Sequence, residues 1–360
     1  MAHAFVLTGG GTGGHVFPAL AVARVLQSRG HRLLFIGTEE GMESRLVPEA
    51  GFDIQFVSIG GLNRVGLSTQ IKTLMRLPGA VATAWNLLRK FRAEAVFSMG
   101  GFVSGPVMLA AALAGIPLVV MEPNSVPGFA NRKMAKRVYR ALLGFENTRR
   151  WFPAERAEVT GLPVRPEFFA VQHKPSEQFT ILITGGSRGA RTLNRASRES
   201  WPYLRASQWP VRVVHQSGTA EHEALAREFA FAGVNGEIVP FIKDMASAFA
   251  DADIVVGRAG AGSVNEIAAA GMASILVPLP YAADDHQKEN AKTLVDAAAA
   301  RMVLDSEMSG ERLFREVEEL RNKPEFLSQI RERVRQFAKP GAAERAATVL
   351  EEAAESKRRQ

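Results

Sequence analysis

The sequence predicts an α/β protein of two Rossmann-like domains, with parallel sheets facing each other across a cleft. Three observations predict it. The chain has 360 residues, more than one hydrophobic core usually serves. Short apolar and β-branched runs alternate with helical patterns from end to end, as in parallel sheets flanked by helices. The two halves also begin alike. Phe5-Val-Leu-Thr-Gly-Gly-Gly-Thr-Gly-Gly14 parallels Ile181-Leu-Ile-Thr-Gly-Gly-Ser-Arg-Gly-Ala190, each a first strand, a glycine turn and a helix start.

In order, the runs at 4–7, 32–36, 54–59, 95–98, 118–122 and 141–145 read as the strands of the first half. Those at 180–184, 212–215, 237–241, 254–256, 274–277 and 302–304 read as the strands of the second. The longest apolar stretch, 106–121, is broken by Gly115 and Pro117 and falls short of a bilayer span. It reads as a buried helix followed by a buried strand, and no transmembrane helix is expected. Pro163, Pro166 and Pro175 mark a linker, so the expected domains are 1–162 and 179–340, joined by 163–178. After Pro340-Gly341 a final helix and charged tail, 341–360, ends in Lys357-Arg-Arg-Gln360 and is expected in solvent.

Composition narrows the function classes. An apolar fraction of 46% with 22% charged residues suits a globular chain and excludes a disordered one. The absence of cysteine excludes disulfides, thiolate metal sites and a cysteine nucleophile. Met1 to Leu7 lead into a glycine loop without a basic segment, apolar core and cleavage site, so a cytoplasmic location is expected. The net charge of +7 calls for an anionic partner. No recognition-helix, zinc-finger or RNA-binding aromatic motif accompanies that charge, so nucleic acid is not the expected partner.

Gly9, Gly11 and Gly14 have the G-x-G-x-x-G spacing after a strand and before a helix, where unpaired N–H groups meet an anion. Glu39, just past the second strand, stands where a dinucleotide site places its acid, so a dehydrogenase stays open at this point. Further glycine turns lie at 100–105, 185–189 and 257–262. Any one of them is compatible with a plain βα turn. Four at strand C-termini suggest a cleft lined with N–H donors, suited to a diphosphate. Ser263 and Glu266 have capping-box spacing; alternatively, Glu266 accepts hydrogen bonds from ribose hydroxyls. Gln287, in a polar loop after a buried strand, reads either as a sugar-hydroxyl ligand or as a surface helix start. Asp251-Ala-Asp253 matches the D-x-D of metal-dependent transferases but precedes a strand instead of following one. It reads as a polar turn, and neither a catalytic metal nor a cofactor is expected.

From 54 to 93 there is no acid, but Arg64, Lys72, Arg76, Arg89, Lys90 and Arg92 all occur. Ile71, Leu74 and Met75 share one helical face; Val81, Trp85 and Leu88 form a second cluster. Either these apolar residues are core beneath a solvated basic face, or they form an amphipathic patch in a lipid interface. Each base near an anionic membrane surface contributes about 1 kcal/mol. A second basic run, Arg132-Lys-Met-Ala-Lys-Arg137 with Arg149 and Arg150, would reinforce it.

Four motifs together carry a resemblance that spans nearly the whole chain. They are Thr8-Gly-Gly-Gly-Thr-Gly-Gly-His-Val-Phe-Pro18, Ser98-Met-Gly-Gly-Phe-Val-Ser-Gly-Pro106, Gly185-Gly-Ser-Arg-Gly-Ala-Arg191 and Arg258-Ala-Gly-Ala-Gly-Ser-Val-Asn-Glu-Ile-Ala-Ala-Ala-Gly271. The chain resembles the bacterial glycosyltransferases that add N-acetylglucosamine to undecaprenyl-diphosphate-N-acetylmuramoyl-pentapeptide, the last cytoplasmic step in making the peptidoglycan precursor. The resemblance implies the GT-B architecture and UDP-N-acetylglucosamine held by the second domain. Uracil would lie near Phe241 and Ile242, read by backbone groups of Ile242. Ser187 would bind phosphate and Glu266 the ribose. Thr12, Gly13, Gly14, Asn124, Arg165 and Gln287 would close around the diphosphate and sugar. Pro123 and Leu162 depart from the glutamine and asparagine common in the family at these places, both beside expected site residues.

The implied reaction is one displacement with inversion, the acceptor 4-hydroxyl attacking the anomeric carbon as UDP leaves. His15 is the candidate base, since an unperturbed histidine titrates near ~6.5 and a helix N-terminus favours its neutral form. Its other reading is a phosphate ligand or loop cap. A polyprenyl acceptor also implies peripheral attachment to the cytoplasmic face of the inner membrane through Ile71, Leu74, Met75, Trp85, Lys72 and Arg76, among cell-wall or division proteins. Rival readings are a transferase for another lipid such as diacylglycerol, a UDP-sugar 2-epimerase, and a non-catalytic sugar-nucleotide-binding subunit.

Overall fold

Runs rich in valine, isoleucine and leucine settle on pleats covered on both faces, and here they form two wholly parallel sheets. The computed structural model describes residues 2–11, 13–60, 67–174 and 176–358, without the side chains of 67–74 and 283. Thr12, Arg64 and Pro175 therefore lie outside the described residues, as do the side chains of Ile71, Lys72 and Leu74.

The first sheet comprises β1 (Ala4–Thr8), β2 (Arg32–Gly37), β3 (Ile54–Phe56), β4 (Ala95–Ser98), β5 (Leu118–Glu122), β6 (Arg140–Leu143) and β7 (Ala157–Val159). Its order is β3-β2-β1-β4-β5-β6-β7. The second comprises β8 (Phe179–Thr184), β9 (Val211–Gln216), β10 (Asn235–Val239), β11 (Ile254–Gly257), β12 (Ser274–Leu276) and β13 (Arg301–Met302). It is wound alike, β10-β9-β8-β11-β12-β13. Every residue of β1, β4 and β5 is buried, which is why these strands read as nearly unbroken apolar runs. The edge strand β7 escaped the sequence reading, because Ala-Glu-Val offers neither length nor alternation.

By compactness the chain divides into Met1–Val164 with Lys339–Gln360, and Arg165–Ala338. Two segments differ from expectation. The final helix, Ala342–Arg358, expected in solvent, is half embedded in the first unit. It buries Ala346, Ala347, Val349, Leu350, Ala353 and Ala354 and packs on the helix Gly13–Ser28 of the first unit. Arg345 grips Glu158 at 2.6 and 2.9 Å, and Arg29 meets Glu351 at 2.7 Å. The expected linker is also partly built into a domain. Pro166–Phe169 is a short helix, and Phe168, fully buried, meets the Phe249 ring edge-on at 5.4 Å in the second unit.

In each sheet the winding reverses once, between β1 and β4 and between β8 and β11. There Thr8 lies beside Ser98, and Thr184 beside Gly257. All four expected glycine turns follow these four strands, at the two places where an α/β sheet binds ligands.

Candidate functional site

In the first unit, Gly13 and Gly14 open the helix Gly13–Ser28, and His15 is its third residue, half-buried. The turn after β4 comes close to it. A Cβ on Gly101, whose φ is +84°, would stand 3.2 Å from the Gly10 carbonyl oxygen and 4.0 Å from His15 Nδ1. Only glycine permits both that backbone and that approach. Beside them, Asn124 is held through Glu122 at the end of β5. Glu122 accepts hydrogen bonds from Asn124 N at 3.0 Å, Gly128 N at 3.0 Å and Asn131 Nδ2 at 2.9 Å. Burial raises the Glu122 carboxyl above the usual range, while those hydrogen bonds oppose the rise. The sequence reading passed over Glu122; its signal is a lone acid closing the apolar strand Leu-Val-Val-Met-Glu. Glu39 is exposed, whereas Glu43 turns inward to accept from the Gly11 amide at 2.9 Å. That amide is thus not free for a dinucleotide phosphate, against the dehydrogenase reading.

In the second unit, Ser187 is exposed in the turn between β8 and the helix Arg191–Ala206. Gln216, buried at the end of β9, ties this turn to the one after β10. Its Nε2 donates to Gly186 O at 2.9 Å and its Oε1 accepts from Ile242 N at 2.8 Å. The amide of Ile242, one of the backbone groups expected at the uracil, is therefore engaged within the protein. Gln216 also went unread in the sequence, although its place at a strand's C-terminal end is where ligand contacts concentrate.

The capping-box reading of Ser263 and Glu266 fails. The helix Ala261–Ala270 is capped by Gly260 with no side-chain partner, so Ser263 is already inside it. Glu266 instead faces Arg165 Nη2 at 3.7 Å, and the Arg165 guanidinium lies 4.7 Å from the centre of the Phe168 ring. The structure thus brings together two of the expected donor ligands. Burial pushes the Glu266 carboxyl up to about 7; Arg165 pulls it down and Glu167 adds to the rise. Gln287 lies in the first turn of the helix His286–Asp296, and its Oε1 accepts from Leu279 N at 3.0 Å. Asp251 pairs with Lys174 at 3.0 Å, and Asp253 accepts from Thr180 N at 2.8 Å and meets His173 at 3.0 Å. Both acids serve a turn, as their sequence position predicted.

The basic apolar region is the helix Leu67–Phe91. Met75 is 77% exposed, and Arg76, Arg89 and Lys90 are exposed with it. Leu88 belongs to the core, however, and Val81 and Trp85 pack partly against that core, so the second cluster is not a free lipid-facing set. Trp85 also lines an apolar recess of about 520 Å³ with Leu77, Pro78, Val81, Ala82 and Leu109. In the other basic run, Arg132 and Arg150 lie 5.6 and 5.7 Å from the centre of the Trp151 ring, and Lys133 lies 5.5 Å from that of Phe129. Among the described residues no helix is long and apolar enough to cross a membrane.

The glycosyltransferase family 28 N-terminal domain matches residues 5–143, and the family 28 C-terminal domain matches 180–346. A Solibacter usitatus protein named UDP-N-acetylglucosamine--N-acetylmuramyl-(pentapeptide) pyrophosphoryl-undecaprenol N-acetylglucosamine transferase is 54% identical, over 98% of this chain and 97% of its own. A Halorhodospira halophila protein of the same name is 42% identical, over 97% and 98%. Among solved structures, the crystal structure of Acinetobacter baumannii MurG superposes with a TM-score of 0.83 at 35% identity, covering 98% of this chain and 100% of that one.

Proposed function

The chain belongs to glycosyltransferase family 28, and from that premise we propose that it moves N-acetylglucosamine from UDP-N-acetylglucosamine to undecaprenyl-diphosphate-N-acetylmuramoyl-pentapeptide. The observation that carries this reading is the 54% identity, over 98% of the chain, to a transferase named for that reaction. The geometry of each unit supports a division of labour. The second unit holds the donor: Phe241 and Ile242 at the uracil, Glu266 at the ribose, Ser187 and the helix N-termini at the diphosphate, Gln287 at the sugar. A uracil oxygen that takes the Ile242 amide displaces Gln216, which makes Gln216 part of the base subsite.

His15 takes the proton of the acceptor 4-hydroxyl as its oxygen attacks the anomeric carbon, and the bond to UDP breaks. Arg165 and backbone N–H groups stabilise the charge gathering on the diphosphate. This scheme requires no metal. With labelled donor and a short-chain polyprenyl-diphosphate-N-acetylmuramoyl-pentapeptide, the purified protein forms labelled disaccharide-lipid, with or without chelator. His15→Ala lowers that rate roughly 10²- to 10⁴-fold. Tight donor binding without transfer would move the assignment to another lipid acceptor or to a non-catalytic subunit.

The same reading places the enzyme peripherally on the cytoplasmic face of the inner membrane. Exposed Met75 with Arg76, Arg89 and Lys90 supports this, because an apolar contact flanked by bases suits an anionic surface. Met75→Glu is expected to lower sedimentation with phosphatidylglycerol vesicles while leaving UDP binding unchanged. Equal sedimentation of variant and parent removes Met75 from the contact.

A further inference from the structure

Glu43 opens the short helix Glu43–Glu49, yet it is only 1% exposed. Its Oε2 accepts from Gly11 N at 2.9 Å, and its Oε1 accepts from Thr38 N at 3.0 Å and Thr38 Oγ1 at 2.8 Å. One carboxylate thus ties the glycine loop after β1 to the turn after β2. It also explains three glycines. A Cβ on Gly10 would lie 2.3 Å from Glu43 Cδ, one on Gly41 2.2 Å from its oxygens, and one on Gly37 2.6 Å from its Cγ. No side chain fits at these positions while Glu43 keeps its place.

The loop braced in this way leads into the helix whose third residue is His15. Because the Gly11 amide is given to a carboxylate, a phosphate at that point would lose a donor and meet an acid. Holding the loop, not cradling an anion there, is what this arrangement does. Resting on the base role assigned to His15 above, we infer that Glu43 is a positioning residue for the transfer reaction. It fixes the Gly10–Gly11 peptide and thereby the start of the His15 helix. Glutamine is nearly isosteric, but its NH₂ must face one of these N–H or O–H donors, so one side of the tie is lost.

The test compares the 360-residue chain with its Glu43→Gln variant. The expected result is a kcat about 10²-fold lower, since an ångström of misplacement costs that much, with UDP affinity held within about twofold. The KM-against-kcat split separates positioning from general damage. A kcat within about threefold of the parent, or a parallel loss of kcat and UDP affinity, overturns the inference. Gly10→Ala supplies a second measurement, made by thermal unfolding alone and in a Glu43→Ala background. Glu43 filling that space predicts a destabilisation that disappears in the double variant; an undiminished one overturns the brace. A parent protein that transfers no sugar counts against the assigned reaction, and the unfolding cycle still decides whether Glu43 braces the loop.

Discussion

Burial pushes the Glu266 carboxyl from 4.5 to about 7, with Arg165 opposing and Glu167 assisting. Between these two values the folded protein holds a proton that the unfolded chain has released. The stability this contributes is complete below the unfolded value and is lost as the pH rises through about 7. Glu266→Gln is therefore expected to be more stable than the parent by on the order of 1–3 kcal/mol near about pH 8, with the gain vanishing toward about pH 4.5. With Glu266 in its proposed place at the ribose, the same substitution is expected to weaken UDP binding, because a carboxylate accepts two ribose hydroxyls where an amide oxygen and NH₂ divide the task. On the same proposed role, parent affinity for UDP is expected to fall as the pH drops through about 7 and Glu266 takes up a proton. Unfolding and titration calorimetry across pH check both; a stability difference independent of pH contradicts the assignment. The glycines, His15 and Glu266 were visible in the sequence because motif spacing marks them. Glu43, Glu122 and Gln216 were not, since a sequence names an acid or an amide without saying that it turns inward.

At the scale of elements, the final helix departs furthest from its sequence reading. Ala342–Arg358 is dense in charge, and its small apolar stripe suggests little burial on its own. The stripe gains meaning beside β4, β5 and the helix Gly13–Ser28, whose Ala19, Val22, Ala23 and Leu26 are also buried. Small side chains on both helices allow close approach, and Arg29 meets Glu351 at the rim. Leu350→Ala should cost the first unit about 2–5 kcal/mol, because Leu350 is fully buried. Arg345→Ala should cost less than about 1 kcal/mol, the pair with Glu158 being 37% and 30% exposed. Denaturant unfolding of the two variants checks that order, and equal losses would show that the ion pair anchors the helix as strongly as the buried leucine. The strands, by contrast, were readable wherever valine, isoleucine and leucine ran together. Only β7, Ala157–Val159, fell below that threshold.

For the whole molecule, the repeated strand-glycine-helix opening foretold a repeated fold: both sheets wind outward from a central strand in the same order. The domain boundaries were less legible, because the chain returns to the first unit after Ala338 and no local signal announces which core a distant helix will join. The family was legible because its motifs lie on glycine turns at strand ends, where backbone requirements constrain the sequence. The proposed transfer is a single displacement at the anomeric carbon of an α-linked sugar nucleotide. The anomeric configuration of the disaccharide-lipid, read from proton coupling in its NMR spectrum, tests that claim most directly. A β-linkage to the 4-position of N-acetylmuramic acid is predicted; an α-linkage would mean that the configuration is retained and would contradict the mechanism.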